Sequence, residues 1–429
     1  MNIAFHTLGC KLNFSETSFI ANDIKQLGYH EVQFDEIADI YVINTCTVTE
    51  NANKECQYLI RKVLKKNPVA KTVIIGCYAQ LKPKEIAQIN GVNLVLGNNE
   101  KFKLGTYLKD LYTTKETTVI TKDSSELNEF KTSFSFGDRT RTFLKIQDGC
   151  DYKCSFCTIP LARGESRSDS VQNIIDKIEK LKKKGVKEIV LTGINIGDFK
   201  NKKGEKLIDL LKHIDTLDNI RIRLSSIEPN LITRDIIEVF SKSNVLVPHF
   251  HIPLQSGSDK ILHLMRRRYI SKNYKQTIQL IHDKIKNACI GVDVIVGFPG
   301  ENDFYFNETL LFLKSLNISY LHVFSYSERE NTDAIKLGHP VKIEEKKYRS
   351  KVLRNLSEKK KRAFYEGNIG LIKEVLFENK NINGFIYGFS ENYIKVKSKY
   401  QDNLLNQVHQ VKINTIDTDH MTCVTGNLI

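Results

Sequence analysis

Short apolar runs alternate with amphipathic stretches over most of this chain, and this alternation restricts the fold more than any other feature. In the first 118 residues the order is strand, helix, strand, helix, strand, with the candidate strands NIAFHTLG, DIYVINT and KTVIIG. Strands that are separated by helices favour parallel pairing, with helices covering the sheet. Residues 1–118 are therefore predicted to form an α/β domain with a doubly wound parallel sheet.

A second alternating region begins at residue 140, after a segment (119–139) rich in Thr, Ser, Lys and Glu that is predicted to be a linker. Its six candidate strands are TFLKIQ, KEIVLTG, IRIRLS, VPHFHIPL, GVDVIVGF and YLHVFSY. Six strand–helix units rather than about eight predict that residues 140–362 form a partial (β/α)6 barrel, open along one side. The active site of such a barrel lies at the carboxyl ends of its strands, and the open side would admit a macromolecule.

The last region, residues 363–429, alternates apolar and polar residues between Gly and Asn turns. This pattern predicts a small antiparallel β barrel, a fold that often binds RNA. Phe385, Tyr387 and Phe389 of one candidate strand would either stack on RNA bases or pack inside the barrel.

The net charge of +14 suggests a polyanionic partner, and the excess is unevenly distributed. The segment 341–362 holds 10 Lys and Arg against 3 Glu, and Val352 and Leu356 fall at helical spacing within it. This basic helix is either a solvated helix face or a surface that contacts RNA phosphates.

The 429 residues are enough for two or three domains. No apolar run approaches the length of a membrane span, and the stretch MNIAFHTLGC lacks the basic and apolar segments of a signal peptide. An odd number of cysteines, nine, favours metal ligation in a reducing compartment over a disulfide framework. We expect a cytoplasmic protein with no membrane association.

Three of the cysteines, Cys150, Cys154 and Cys157, lie in the run QDGCDYKCSFCTIPLARG. Their spacing suits three corners of a 4Fe-4S cluster and leaves the fourth iron free to bind a small molecule. The alternative, a zinc site, requires four ligands, and no second CxxC or HxxxH pair follows nearby.

Three other cysteines each follow a candidate strand of the N-terminal domain: Cys10, Cys46 and Cys77. Because the carboxyl ends of parallel strands meet at one edge of the sheet, the fold would gather them into a second cluster site. Alternatively, each is a small buried side chain. Cys56, Cys289 and Cys423 have no assigned role, and packing is expected for Cys56 and Cys289.

Polar residues and glycines follow the candidate barrel strands and either form turns or surround a ligand. The candidates for a cofactor pocket are Gly193, Asn195, Ser226, Glu228, Gln255, Ser256 and Gly297, with Phe156 just before the last cysteine of the run. Arg163 and Arg167 follow the cysteine run and would either neutralise phosphate or carboxylate groups of a substrate or pair with neighbouring residues.

The cysteine run with Phe156 resembles that of the radical S-adenosylmethionine enzymes. Other motifs extend the resemblance to the methylthiotransferases of that superfamily over nearly the whole chain. These motifs are LGCKLNFSE, INTCTVTENA, IIGCYAQ, HIPLQSGSDKIL and VDVIVGFPGE. The resemblance implies that the C-terminal domain is a TRAM-like barrel.

The resemblance also implies two 4Fe-4S clusters and S-adenosylmethionine as cofactors. Cys150, Cys154 and Cys157 would hold the catalytic, radical-generating cluster, and Cys10, Cys46 and Cys77 an auxiliary cluster that carries or supplies sulfur. The implied reaction replaces an unactivated C–H bond with C–S–CH3, which requires a cofactor because the carbon has no leaving group and no acidic proton.

Within the family, LGCKLNFSET and INTCTVTENANKE are most similar to the branch that modifies N6-threonylcarbamoyladenosine beside the tRNA anticodon. The implied partners are the tRNA anticodon stem-loop, a cellular electron donor and a sulfur source. The alternative substrates are prenylated adenosine in tRNA and an aspartate of a ribosomal protein. An iron-sulfur protein that binds RNA or transfers electrons without catalysis remains a further alternative.

Overall fold

The computed structural model of the chain has three parts that follow one another along the sequence. It describes residues 1–47, 50–114, 116–137, 139–417 and 422–428. Among the helices of these ranges, none has the length and apolar composition that crossing a membrane requires.

The N-terminal domain contains a parallel sheet of six strands rather than only the three predicted from the sequence, in the order β2-β1-β3-β4-β5-β6. The strands are β1 (Asn2–Thr7), β2 (His30–Val32), β3 (Ile40–Thr45), β4 (Lys71–Gly76), β5 (Val92–Leu96) and β6 (Thr118–Ile120). The helices are α1 (Lys11–Gln26), α2 (Glu50–Lys66), α3 (Cys77–Leu81), α4 (Pro83–Ala87) and α5 (Leu104–Leu108). One apolar core joins the sheet to α1 and α5 and a second joins it to α2, α3 and α4, so the sheet is doubly wound as predicted.

The second part contains the six predicted parallel strands. They are β7 (Thr142–Lys145), β10 (Glu188–Thr192), β11 (Arg221–Leu224), β12 (His249–His251), β13 (Cys289–Val296) and β14 (Tyr320–Ser325), with the short pair β8 (Gln147–Asp148) and β9 (Arg167–Ser168) between the first two. The sheets β7-β10-β11 and β12-β13-β14 are joined by two isolated parallel bridges, from Ile222 to Leu246 and from Ser226 to His251. The result is the open, six-stranded barrel that the sequence predicts.

Amphipathic helices cover the outer face of this partial barrel. They are α7 (Val171–Lys183), α8 (Leu207–Asp215), α9 (Arg234–Lys242), α10 (Asp259–Leu264), α11 (Ser271–Lys284), α12 (Asp303–Ser315) and α13 (Ile343–Glu366). The short helix α6 (Ile159–Arg163) lies apart from them and packs against α3. The first turns of α7, α9 and α12 are fixed by Ser170, Thr233 and Asn302, whose side chains accept a hydrogen bond from a backbone N–H of the same helix.

The basic helix predicted at 341–362 is α13, which packs along strand β14. Its Ser357 hydroxyl accepts a hydrogen bond from the backbone N–H of Leu321 (2.8 Å) and donates one to the carbonyl of the same residue (3.0 Å). Strand β14 is the edge of its sheet, so its outer backbone groups have no neighbouring strand, and the Ser357 side chain satisfies two of them. One face of the basic helix is therefore buried against the barrel.

The third part is a closed barrel in the order β15-β16-β17-β19-β18. Its strands are β15 (Ile372–Phe377), β16 (Phe385–Ser390), β17 (Lys395–Lys399), β18 (Val408–Asp417) and β19 (Thr422–Leu428). The predicted small barrel is confirmed, and its pairs are antiparallel except for β17 with β19. Ile386 is buried in the interior, whereas Phe385, Tyr387 and Phe389 alternate with it and face outward, so they do not pack inside the barrel.

The C-terminal barrel is held against the partial barrel by two arginines of β11. Arg221 donates hydrogen bonds to the carbonyls of Glu374 (3.1 Å) and Phe389 (3.3 Å). Arg223 donates to the carbonyl of Glu391 (3.1 Å) and to that of Ser390 (3.3 Å). Because Ile222 and Leu224 pack in the core behind the sheet, both arginines point to its inner face. The C-terminal barrel therefore covers part of the open side.

Candidate active site

The cysteine run forms a tight loop between β8 and α6. Gly149 has φ +71°, and a Cβ atom there would lie 1.9 Å from the carbonyl oxygen of Glu165, so only glycine fits. The loop is closed by a hydrogen bond from the N–H of Cys150 to the carbonyl of Gly164 (3.1 Å), and a second joins the N–H of Cys157 to the carbonyl of Cys154 (3.1 Å). Within this loop the thiols of Cys154 and Cys157 lie near enough to Cys150 to raise the pKa of its thiol, after the larger effect of burial.

Hydrogen-bond donors point at two of these sulfurs. The Arg267 guanidinium donates to Cys154 Sγ at 3.1 Å, and the N–H of Tyr152 donates to Cys150 Sγ at 3.4 Å. Burial raises the pKa of Cys150 and Cys157 to about 12, so these thiols become thiolates only when a cation compensates the charge. Donors aimed at sulfur are the usual environment of an iron-sulfur cluster, so the loop fits such a group.

A single metal ion fits this loop less well. In the described ranges, the three-donor group that converges closely enough for one ion is His251, Asp293 and His322, within 4.8 Å of one another. Among the described residues, the sulfurs of Cys150, Cys154 and Cys157 do not form such a group. A single zinc ion with zinc–sulfur bonds of about 2.3 Å would require the three sulfurs to lie as close together as the atoms of such a group. The arrangement favours a larger cluster over the zinc site.

The three N-terminal cysteines follow β1, β3 and β4, which are neighbours in the parallel sheet. A Cβ atom on Gly9 would lie 2.9 Å from Cys46 Sγ, so the chain just before Cys10 touches Cys46. Burial raises the pKa of Cys10, and the nearby thiol of Cys77 raises it further. The structure thus places Cys10, Cys46 and Cys77 at neighbouring strand ends along one sheet edge.

The other cysteines lie elsewhere. Cys56 is buried in the apolar core beneath α2, and burial raises its pKa to about 12. Cys289 is buried at the start of β13. The side chain of Cys423 lies outside the part of the chain that the structure describes.

One short helix connects the two groups of cysteines. Helix α6, which follows Cys157, packs against α3, which begins at Cys77. The Asn98 amide donates to the carbonyl of Ala162 in α6 at 2.7 Å and lies 3.8 Å from Cys77 Sγ. The two groups of thiols therefore face a shared region between the N-terminal domain and the partial barrel.

A buried ion network fixes this contact. The Glu16 carboxylate contacts the ammonium of Lys101 (2.6 Å), that of Lys145 (2.8 Å) and the guanidinium of Arg163 (3.1 Å). Asp148 accepts from Arg163 at 2.9 Å. Burial alone would raise the pKa of Glu16, but the three cations hold it well below its usual range.

Of the two alternatives for Arg163, the structure favours pairing with neighbours, because the side chain is 1% exposed within this network. Arg167 donates to the carbonyls of Arg163 (2.7 Å) and Glu165 (3.0 Å) and borders a cleft of about 970 Å³ that is also lined by Lys131 and Lys200. Sequence reasoning missed Glu16, since its partners lie 85, 129 and 147 residues away.

A cavity of about 240 Å³ lies beside the cysteine loop at the carboxyl ends of β13 and β14. Phe156, Cys157, Gln255 and Asp293 line it. Gln255 has φ +69°, a strained conformation for this residue type that often marks a ligand site.

Some of the predicted pocket residues carry polar groups that have no protein partner. Both amide atoms of Asn195 are buried without a hydrogen bond among the described residues, as is the hydroxyl of Ser225. Buried polar atoms normally have partners, so a polar ligand fits here. Glu228 forms an ion pair with Arg267, a residue that the sequence did not indicate. Ser226 forms a parallel bridge to the next strand.

Three predicted pocket residues have packing roles in the structure. A Cβ atom on Gly193 would lie 2.7 Å from Gln147 Oε1. The hydroxyl of Ser256 is buried 3.1 Å from that of Thr309. Gly297 has φ +73° and donates its N–H to Glu301 Oε2 at 2.6 Å.

Comparisons with known proteins agree with this architecture. Residues 144–313 match the model of the radical SAM superfamily, and residues 2–97 match that of the uncharacterized protein family UPF0004. A radical S-adenosylmethionine methyltransferase, TsrM from Kitasatospora setae, has the same fold with a TM-score of 0.55 at 12% identity, over 75% of this chain and 72% of that one. The fold and the cysteine loop define a radical SAM protein, whose cofactors are a 4Fe-4S cluster and S-adenosylmethionine.

Two relatives define the family more closely. The threonylcarbamoyladenosine tRNA methylthiotransferase MtaB of Aquifex aeolicus is 39% identical over 92% of this chain and 96% of its own length. The MtaB of Bacillus subtilis is 38% identical over 96% of this chain and 93% of its own length. The chain belongs to the MtaB family of radical SAM methylthiotransferases.

Proposed function

We propose that this protein is a tRNA methylthiotransferase that converts N6-threonylcarbamoyladenosine beside the anticodon to its 2-methylthio derivative. The names of the two MtaB relatives support the substrate, since each is similar to this chain over more than nine-tenths of its length. The observation that carries the chemistry is the contact of α3 with α6, which joins the two groups of cysteines. A single cluster would account for radical formation but not for sulfur transfer.

The residues of this chain that would hold the cofactors fall into two sets. Cys150, Cys154 and Cys157 would ligate the cluster that binds S-adenosylmethionine, and a second cluster would be ligated by Cys10, Cys46 and Cys77. When bound, the first supplies the electron that generates a radical from S-adenosylmethionine, and the second carries or supplies the sulfur.

The protein's own contribution is to bind and orient these groups. Arg267 donates to Cys154 Sγ and holds Glu228 beside the loop. The amide of Asn195 and the hydroxyl of Ser225 offer hydrogen bonds to a polar ligand, and Phe156 and Gln255 form walls of the adjacent cavity. We assign no acid or base to the reacting carbon, because it has neither a leaving group nor an acidic proton.

The outer face of the C-terminal barrel is suited to RNA. Phe385 is 37% exposed, and the Lys397 ammonium lies 4.5 Å from the centre of its ring. The Lys395 ammonium lies 4.8 Å from that of Tyr387. Tyr387 is half-buried. Outward-facing rings flanked by cations bind single-stranded bases and phosphates, and helix α13 adds further positive charge. The electron donor, the sulfur source and a cytoplasmic location belong to this proposal through the family resemblance.

The test compares modified nucleosides in tRNA from cells with and without this gene, by mass spectrometry. The 2-methylthio derivative of threonylcarbamoyladenosine should disappear on deletion, and its unmethylthiolated precursor should accumulate. If another methylthio nucleoside disappears instead, the proposed substrate is wrong. Reduced, reconstituted protein should also form 5′-deoxyadenosine from S-adenosylmethionine.

A further inference from the structure

The inner face of the partial barrel carries a polar cluster next to the cavity at the cysteine loop. His251 of β12, Asp293 of β13 and His322 of β14 lie side by side on neighbouring strands. His251 Nε2 is 2.7 Å from Asp293 Oδ1, and the rings of His251 and His322 are 5.3 Å apart. Asp293 also lines the cavity that Cys157 borders. The cluster therefore lies in the interior of the proposed active site.

Lys11 approaches the same interior from the N-terminal domain. It is the first residue of α1 and directly follows Cys10. Phe14, one turn further on, packs edge-on against Phe143 of β7 with ring centres 5.8 Å apart, which places this end of α1 over the barrel. Burial lowers the pKa of His322, and the positive charges of His251 and Lys11 lower it further. Lys11 therefore lies within electrostatic range of the histidines.

The surroundings of Lys11 already carry an excess of positive charge. The side chain is solvent-exposed and forms no hydrogen bond or ion pair with any described residue. The guanidinium groups of Arg141 and Arg223 are among the charges that act on it. Glu188, a carboxylate that also acts on Lys11, is shared by Arg221 (2.6 Å) and Arg223 (2.8 Å).

A substrate base that covers this exposed ammonium would remove its water while the cationic neighbours remain, so an anionic group on the base would compensate the buried charge. An apolar substituent, such as a prenyl group, would remove water from Lys11 without replacing the lost interactions. A carboxylate would accept hydrogen bonds from the ammonium and from an imidazole N–H. The surroundings of Lys11 thus favour an anionic substituent on the substrate base.

We propose that Lys11, His322 and the His251–Asp293 pair form a subsite that binds the carboxylate of the threonylcarbamoyl group. This inference rests on the proposed function. Lys11 supplies the positive charge and His322 a hydrogen bond, while Asp293 holds the ring of His251 in place. Since Lys11 adjoins Cys10, a carboxylate bound there would hold the base beside the proposed source of sulfur.

The test uses reconstituted full-length enzyme and three anticodon stem-loop RNAs. One RNA carries threonylcarbamoyladenosine, the second the same group with its carboxylate converted to a neutral amide, and the third unmodified adenosine. Affinity is measured by fluorescence anisotropy and turnover by mass spectrometry. The variants are Lys11→Met, Lys11→Arg and His322→Ala, with Lys212→Met on the exposed face of α8 as the matched control.

The wild-type protein should bind the acid about 10- to 100-fold more tightly than the amide, the range expected for hydrogen bonds to a charged group. Lys11→Met should abolish this preference, Lys11→Arg should retain part of it, and Lys212→Met should retain all of it. Iron content equal to that of the wild type verifies that Lys11→Met leaves the neighbouring cysteine site intact.

Three results would overturn the subsite. One is equal affinity of the wild type for acid and amide. Another is an equal loss of affinity for all three RNAs in Lys11→Met, which would make Lys11 a phosphate contact. The third is the presence of one equivalent of a metal other than iron in the wild type and its absence from His322→Ala. His251, Asp293 and His322 would then be the ligands of a metal site. If the wild type binds the acid RNA more tightly than the amide RNA but does not methylthiolate it, the proposed function is refuted and the subsite remains supported.

Discussion

The guanidinium of Arg163 lies 3.1 Å from the carboxylate of Glu16, and neither side chain is accessible to solvent. Arg163 ends the helix that follows the barrel cysteine loop, whereas Glu16 lies on the helix that follows Cys10. Two loops from different domains are therefore connected by one buried ion pair. Because proximity of the two loops is what the proposed sulfur transfer requires, this pair contributes to function through position.

Glu16→Gln should lower the free energy of unfolding by about 3–5 kcal/mol, because it leaves Lys101, Lys145 and Arg163 with only Asp148 as a buried counter-ion. Urea unfolding at pH 7 measures this effect. Asp35→Asn is the matched control, since it removes a carboxylate from the solvent-exposed pair with Lys62, and stability should not change measurably. Equal stability of Glu16→Gln and the wild type would contradict the importance of the network.

The same network predicts acid sensitivity. Burial opposes ionisation, but the cations hold the pKa of Glu16 and of Asp148 below the usual values of about 4. Their stabilising contribution is complete above the unfolded-state pKa and is lost as the pH falls below it toward the lower folded-state pKa. Unfolding free energies of iron-free protein from pH 7 to pH 3 should fall less steeply for Glu16→Gln than for the wild type. Parallel curves would count against this assignment.

Arg267→Met should lower the reduction potential of the barrel cluster. The wild-type guanidinium donates to Cys154 Sγ and compensates Glu228, and both interactions favour the more negative, reduced state. A redox titration followed by electron paramagnetic resonance measures the potential. Arg266→Met is the control, because Arg266 is exposed and pairs with Asp333 at 2.7 Å instead of with a sulfur. A potential unchanged by Arg267→Met would exclude this tuning role.

Cys46→Ala should reduce the iron content by about half, as expected if one of two four-iron clusters is lost. Cys56→Ala should retain the full content, since Cys56 lies in an apolar core away from the sheet edge. Iron and sulfide analysis of the two reconstituted variants makes the comparison. Equal losses would refute the ligand assignment.

The double variant Phe385→Ala/Tyr387→Ala should weaken binding of the tRNA anticodon stem-loop about tenfold or more, because each stacked base contributes roughly 1–3 kcal/mol. Phe304→Ala on α12 removes a ring that is 65% exposed and should leave the affinity unchanged. Anisotropy titrations at two salt concentrations separate stacking from phosphate contacts. Equal affinity of the double variant and the wild type would place RNA binding on another surface.

Features with a local or periodic signal were predictable. Cys150, Cys154 and Cys157 lie within a run of eight residues, and the six barrel strands appear as separate apolar runs. Cys10, Cys46 and Cys77 required one more step, since only a parallel sheet brings the ends of β1, β3 and β4 to one edge. Three strands of this sheet were missed: His30–Val32 and Thr118–Ile120, whose three residues give too little periodicity, and the five-residue strand Val92–Leu96.

The roles of single polar residues depended on distant parts of the chain. Arg163 could have faced a substrate or a neighbour, and the structure surrounds it with Glu16 and Asp148. Ser256 and Gly193 follow strands as pocket residues do, yet the first is buried against Thr309 and the second against Gln147.

The sequence by itself determined the alternation of the longer helices and strands, the cysteine loop and the family, because these depend on residues near one another or on the whole length of the chain. The tertiary structure decided which charged groups meet: Glu16 with Arg163, Arg267 with Cys154, and Glu188 with Arg223. Such encounters depend on the packing of three domains. Electrostatic energy depends on distance through space and on exclusion of water, and neither quantity is set by separation along the chain.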